Sequence, residues 1–141
     1  MKPLYVNYKG VAPQGDATMR SVNEVDSVLD GIKEWLGNTG ALLMLVGFVD
    51  GDSENGPLLQ VGINRDKGLL TYDGPDNPEG LLSHGGGRSR DLVYYFFQGT
   101  KAEFPASAEV PYERVKQAVK EFGSGDGALP GSINWRPDTD D

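Results

Sequence analysis

The chain has 141 residues, no cysteine, a single histidine and a formal net charge of -8, with an isoelectric point near 4.6. That length suits one domain, expected over residues 1–135 with a charged, disordered tail over 136–141. The composition excludes disulfides and thiolate chemistry, and the absence of clustered Lys and Arg argues against direct binding of nucleic acid or an anionic membrane.

The opening MKPLYVNYKG lacks the apolar run of a signal peptide, and Ala41 to Val49 is too short to span a bilayer, so the expected location is the cytoplasm. Leu4, Val6 and Tyr8 alternate with Tyr5 and Asn7, which predicts a first strand at the edge of a sheet. Gly10 to Arg20 has no periodicity and reads as a loop. Ser21 and Glu24 form a capping-box pattern, and Val25, Val28, Leu29, Ile32, Trp35 and Leu36 then keep helical spacing until Gly37. Ala41 to Val49 is almost continuously apolar, as expected for a central strand covered on both faces, or at least by a helix on one. Leu58 to Ile63 and Leu69 to Tyr72 flank a five-residue link and predict a hairpin. Asp73 to Gly80 is dense in turn formers, and Leu81 to Arg90 contains three successive glycines, so this stretch reads as a long mobile connection. Leu92 to Phe97 returns as a strand and turns into Ala102 to Phe104.

In the last third, Pro111 suits the first position of a helix carrying Tyr112, Val115, Ala118, Val119 and Phe122 on one face. Gly123 is placed to end it, and Ser132 to Trp135 is a closing strand. The predicted class is α+β: a mostly antiparallel meander of about five to six strands with two helices packed on one face.

No catalytic constellation emerges. Asp50 to Gly56 starts like a calcium loop, but Asn55 stands where an EF-hand needs glycine and Val61 where it needs glutamate. His84 to Arg88 is glycine-rich, yet the chain has neither a G-x-S-x-G elbow nor a phosphate loop to accompany it. Tyr94, Tyr95, Phe96 and Phe97 alternate faces as a strand; the outer pair lies either under a helix or in an exposed contact patch. Trp35 and Trp135 are expected in the core. Asp50, Asp52 and Glu54 occupy one loop after a strand and Asp73, Asp76 and Glu79 another. If those loops share an edge of the sheet, the six carboxylates form a negative rim that speeds encounter with a basic protein; otherwise they are solvated turns.

Glu103, Pro105, Val110-Pro111, Ala118, Glu121-Phe122, Pro130, Ile133 and Trp135, with a weaker match at Val61-Gly62 and Gly68 to Tyr72, resemble the Imm1 family of bacterial immunity proteins. The chain departs from the family in the glycine-rich SGDGALPG that precedes the last strand. The resemblance implies a cytosolic α+β inhibitor, not an enzyme, that binds the C-terminal catalytic domain of a cognate toxin in a polymorphic toxin system. Such toxins are often nucleic-acid deaminases or other nucleic-acid-modifying enzymes. No cofactor or metal is expected, and the free protein is expected to be a monomer or weak dimer. Two rival readings are a small ligand-binding domain or enzyme using the His84 to Arg90 loop, and a module that pairs with itself through an exposed strand edge.

Overall fold

Leu42, Met44 and Val46 are buried on one side of a strand, and Leu43 is buried on the other. Side chains alternate across a strand, so this segment has to be covered twice, and the architecture follows from that. The computed structural model describes residues 1–8, 15–38, 40–51, 56–75, 77–87 and 90–137. In chain order the elements are β1 (Leu4–Asn7), β2 (Asp16–Met19), α1 (Val22–Leu36), β3 (Leu42–Phe48), β4 (Leu58–Asn64), β5 (Lys67–Gly74), β6 (Asn77–His84), β7 (Leu92–Phe97), β8 (Thr100–Pro105), a 3-10 turn (Ala106–Ala108), β9 (Val110–Pro111), α2 (Tyr112–Ser124) and β10 (Asn134–Pro137).

The main sheet runs β10-β6-β5-β4-β3-β1-β2, antiparallel throughout. Two of its strands divide one edge between two partners. β3 pairs with β1 over Leu45–Phe48 and makes a single parallel bridge to β7 at Leu42. β5 pairs with β6 from Thr71 to Gly74 and with β9 at Lys67 and Gly68. Ser83 sits at that second join: its hydroxyl accepts the Leu70 N–H at 3.0 Å and donates to the Ala108 carbonyl at 2.8 Å, so neither buried backbone group is stranded.

The α+β class holds, but the described residues form about ten strands in place of five or six, and only β3 to β6 form a simple meander. β2 falls where a loop was expected, and because it lies outside β1, the first strand is internal and not an edge. Local signals miss it because it has four residues, Asp-Ala-Thr-Met, and only Met19 is buried. β6 occupies the expected mobile connection; its Leu81 and Leu82 pair with Tyr72 and Thr71, and cross-strand pairing overrides a turn-rich sequence. β10 extends to Pro137, two residues into the segment expected as tail, and pairs with β6.

Both helices cover one face, as expected. Ser21 caps α1 through its side-chain oxygen, which accepts the Glu24 N–H at 3.2 Å, and Val25, Leu29, Ile32 and Leu36 are buried. Trp35 is not in the core: it is 50% exposed, because it lies on the shoulder of that stripe beside Leu36. Pro111 is the N-cap of α2, one residue before the predicted place, and Gly123 does not end the helix. Gly123 is a packing residue; a Cβ there would come within 2.8 Å of Met1 and 3.0 Å of Leu4. The helix stops at Gly125, whose N–H reaches the Glu121 carbonyl. Phe122 stacks on Phe48 with centroids 5.1 Å apart and meets Tyr72 edge-on at 6.3 Å, and Trp135, half-buried, leans on Tyr72 while its indole N–H donates to the Pro130 carbonyl at 2.9 Å.

A charged seam ties the helices together. Lys116 is buried, with its ammonium 3.1 Å from Asp30 and 3.5 Å from both Asp26 and Glu113, and Lys120 lies 2.9 Å from Asp26. The Tyr112 hydroxyl donates to Asp30 at 2.6 Å. The Tyr112 bond, with Lys116, holds the Asp30 carboxyl below its ordinary range against the opposing effect of burial, and the Lys120 bond does the same for Asp26.

The opposite face of β3 is covered by the β7–β8 hairpin, not by a helix. Tyr95 is fully buried there with Leu43, Leu69 and Leu82, and Val93, Phe97, Ala102 and Phe104 pack around it. Its ring lies over Gly62 of β4, where a Cβ would approach within 2.7 Å, so a glycine in mid-strand makes room for the hairpin. The Tyr95 hydroxyl donates to Glu109 at 2.7 Å, and the Asn64 side-chain amide donates to the same carboxylate oxygen at 2.9 Å. Burial, and then the Glu109 carboxylate, push the Tyr95 hydroxyl well above the usual range, so it remains the donor.

Two stability predictions follow from these ties. Because the native Asp30 carboxyl is held below its ordinary value of 3.8, its stabilisation is fully present above that value and is lost as pH falls through the native one. In urea titrations Asp30→Asn is therefore less stable than the parent at pH 7, and the difference closes toward pH 2. Tyr95→Phe removes one bond to a partly buried carboxylate and lowers unfolding free energy by about 1.5–3 kcal/mol at pH 7.

Candidate protein-interaction surfaces

Two turns of antiparallel chain return a strand to its starting direction, so β3 and β5, with β4 between them, end at the same edge of the sheet. Asp50 lies two residues beyond β3, just after Phe48, whose carbonyl accepts the Gly51 N–H at 3.1 Å. Asp73 is opposite Leu58, the first residue of β4, and Glu79 follows the β5–β6 turn closed by the Gly74–Asn77 pair. All three are exposed. β3 and β5 are about 10 Å apart at the usual strand spacing. Asp73 belongs to the face away from the helices, since Tyr72 packs with them, and partial desolvation raises its carboxyl above the ordinary range although the residue is exposed. Asp52, Glu54 and Asp76 lie outside the described residues.

Sequence reasoning missed a fourth carboxylate at this edge. The chain after α2 returns there, with the Tyr72 hydroxyl donating to the Gly127 carbonyl at 2.7 Å, and it carries Asp126, 3.4 Å from Lys2. Asp50 and Asp126 border a cleft of about 310 Å³ walled by Phe48 and Pro57. Only the return of α2 to this edge makes Asp126 a neighbour of Asp50, and local sequence carries no sign of it.

The second surface lies at the other end of β3. Because Val93, Tyr95 and Phe97 point into the hairpin core, Leu92, Tyr94 and Phe96 point out, and they are 51%, 43% and 48% exposed. The outer aromatic pair is therefore not under a helix. Phe96 is held beside the start of β3, where its N–H donates to the Ala41 carbonyl at 2.9 Å. There it borders a shallow groove of about 260 Å³ together with Trp35, Leu36, Leu42 and Gly99. The Lys101 ammonium lies 3.9 Å from the centre of the Tyr94 ring, a cation–π contact at the surface.

The glycine-rich loop offers less. His84 closes β6 opposite Asn134, its Nε2 faces an Arg136 guanidinium nitrogen at 3.3 Å, and its buried Nδ1 has no hydrogen-bond partner among the described residues. Gly85 is tied down by its N–H to the Ser107 carbonyl at 2.7 Å. Arg88 lies outside the described residues. Among the described residues no three His, Asp or Glu side chains converge as a metal site would require, and no helix is long and apolar enough to cross a membrane.

A search of curated proteins returns no match to the chain. The family described as Immunity protein Imm1 matches residues 14–137, from just before β2 to the end of β10. Spanning most of the chain, that match shows that this protein belongs to the Imm1 immunity protein family.

Proposed function

We propose that this chain is the immunity partner of a toxin's C-terminal catalytic domain, one that acts on nucleic acid as a deaminase or by another modification. It neutralises that domain by forming a stoichiometric complex that occludes the active site or substrate groove, and it performs no chemistry of its own. The observation that carries this reading is the family match over residues 14–137. The charge agrees with it. An enzyme acting on nucleic acid needs a basic groove to hold phosphates, and a partner of net charge -8 is drawn toward such a groove.

Within this reading the contact residues include Asp50, Asp73 and Glu79 on the shared sheet edge, with Asp52, Glu54 and Asp76 of the same two loops. Exposed carboxylates are strongly hydrated and contribute little net affinity, so their part is to steer the encounter. The complex forms in the cytoplasm, from an immunity protein that is a monomer or weak dimer when free.

The test uses the toxic C-terminal domain encoded beside this chain. Co-expression with the intact chain restores growth, and the purified pair elutes as an equimolar complex; continued killing with no complex sinks the proposal. Replacing the six carboxylates by Asn and Gln lowers the association rate about tenfold or more at low salt and flattens its salt dependence, while the dissociation rate changes little. Unchanged association kinetics would remove these residues from the interface.

A further inference from the structure

We infer that the ridge formed by Leu92, Tyr94 and Phe96, continued by Trp35 across the groove, is the anchoring surface of this immunity protein, and that its occupant is the cationic substrate groove of the toxin domain. The inference rests on the proposed function above and adds to it the face that carries the affinity. Four large apolar side chains are each 43–51% exposed, three of them at alternate positions along β7, and the last of these, Phe96, borders the same groove as Trp35. Each is held by structure beneath it: the three ridge residues by the alternation that buries Tyr95, and Trp35 by the last turn of α1. Rings presented on a fixed backbone lose little conformational freedom on docking, and Trp and Tyr are the side chains most enriched among residues that dominate binding.

The chemistry of the ridge favours a nucleic-acid groove over other occupants. Successive ridge positions step about 6.7 Å along the strand, and the rings of Tyr94 and Phe96 offer π-faces to cations. Lys101 over Tyr94 already uses one of those faces within this chain. A groove that holds single-stranded nucleic acid combines Lys and Arg with stacking platforms. Rings beside carboxylates complement both parts of such a groove. Carboxylates are present: Glu34 precedes Trp35 and Glu103 is opposite Tyr94, with Lys101 and Arg90 as exposed bases nearby among the described residues. A second copy of this chain is a poorer occupant, because each copy carries a net charge of -8 and the two repel.

The ridge and the acidic edge lie at opposite ends of the seven-residue β3, about 23 Å apart along the strand. A standard interface of about 800 Å² per partner is roughly 30 Å across, so one toxin domain can cover both.

The experiment uses the full chain and a catalytically inactive form of the toxin domain encoded beside it, with a fluorescent single-stranded oligonucleotide as competitor. Phe96→Ala and Trp35→Ala are each expected to weaken the complex about 30-fold or more, chiefly through faster dissociation, with thermal unfolding unchanged because both side chains are exposed. The intact chain displaces the oligonucleotide and shields Trp35 from acrylamide quenching, which is read in a Trp135→Phe background. Tight binding by both alanine variants would overturn the anchoring role and leave the immunity function standing. A ternary complex that keeps the oligonucleotide bound would overturn the groove as occupant. Failure of the intact chain to bind the domain at all would overturn both readings. A dimer of the chain alone that Phe96→Lys dissolves would assign the ridge to self-association instead.

Discussion

The double burial of β3 is the constraint on which the rest of the structure depends. A strand with Leu42, Met44 and Val46 on one side and Leu43 on the other loses apolar contact wherever either side is left bare. Two helices cover the first side, and they are broad enough to close it with polar outer faces. The second side is covered only by a two-stranded hairpin. A strand cannot bury Val93, Tyr95 and Phe97 without presenting the residues between them to solvent. Polar residues there would make an ordinary surface, but this chain has Leu92, Tyr94 and Phe96. The covering of one core therefore creates the exposed ridge, and the bonds from Tyr95 and Asn64 to Glu109 fix its position.

What the sequence made legible divides along the same line. α1, α2, β3 and the β4–β5 hairpin were readable because their apolar periodicities are strong and local. β2 and β6 were not, since each is specified by the strand beside it, Asp16–Met19 by β1 and Asn77–His84 by β5; the closing strand was readable, but its bounds, Asn134–Pro137, are set by pairing with β6. Gly123 reads as a helix stop until Met1 and Leu4 are seen against it. Trp35 reads as core until the width of the α1 stripe is known. The shared edge of the Asp50 and Asp73 loops was an open alternative in the sequence. It is settled by the single intervening strand β4.

The residues that carry the family resemblance are for the most part scaffold. Phe122, Ile133 and Trp135 pack in the helix-side core, Pro130 accepts the Trp135 indole N–H, and Glu121 accepts the Ser132 backbone N–H at 3.1 Å. The glycine-rich departure before β10 is pinned as well, by the Gly127 N–H to the Phe122 carbonyl at 2.9 Å and by the Tyr72 hydroxyl. A signature of this kind identifies the fold and the class of protein. It leaves the recognition surface to residues outside the motif, since function resides in sites placed on a shared scaffold.

Under the proposed function, that separation lets the framework persist while the contact residues vary. Exposed carboxylates at a sheet edge act at long range, are screened by salt and weigh mainly on the rate of encounter. Buried aromatic contact acts only at short range and weighs on the lifetime of the complex. Placing the two at opposite ends of β3 lets either be altered without disturbing the other, because neither Asp50 and Asp73 nor Trp35 and Phe96 contribute to the buried cores. The inward side of the hairpin has no such freedom: Tyr95 is held by Gly62 beneath its ring and Glu109 at its hydroxyl, whereas the ridge residues beside it lie outside both buried cores.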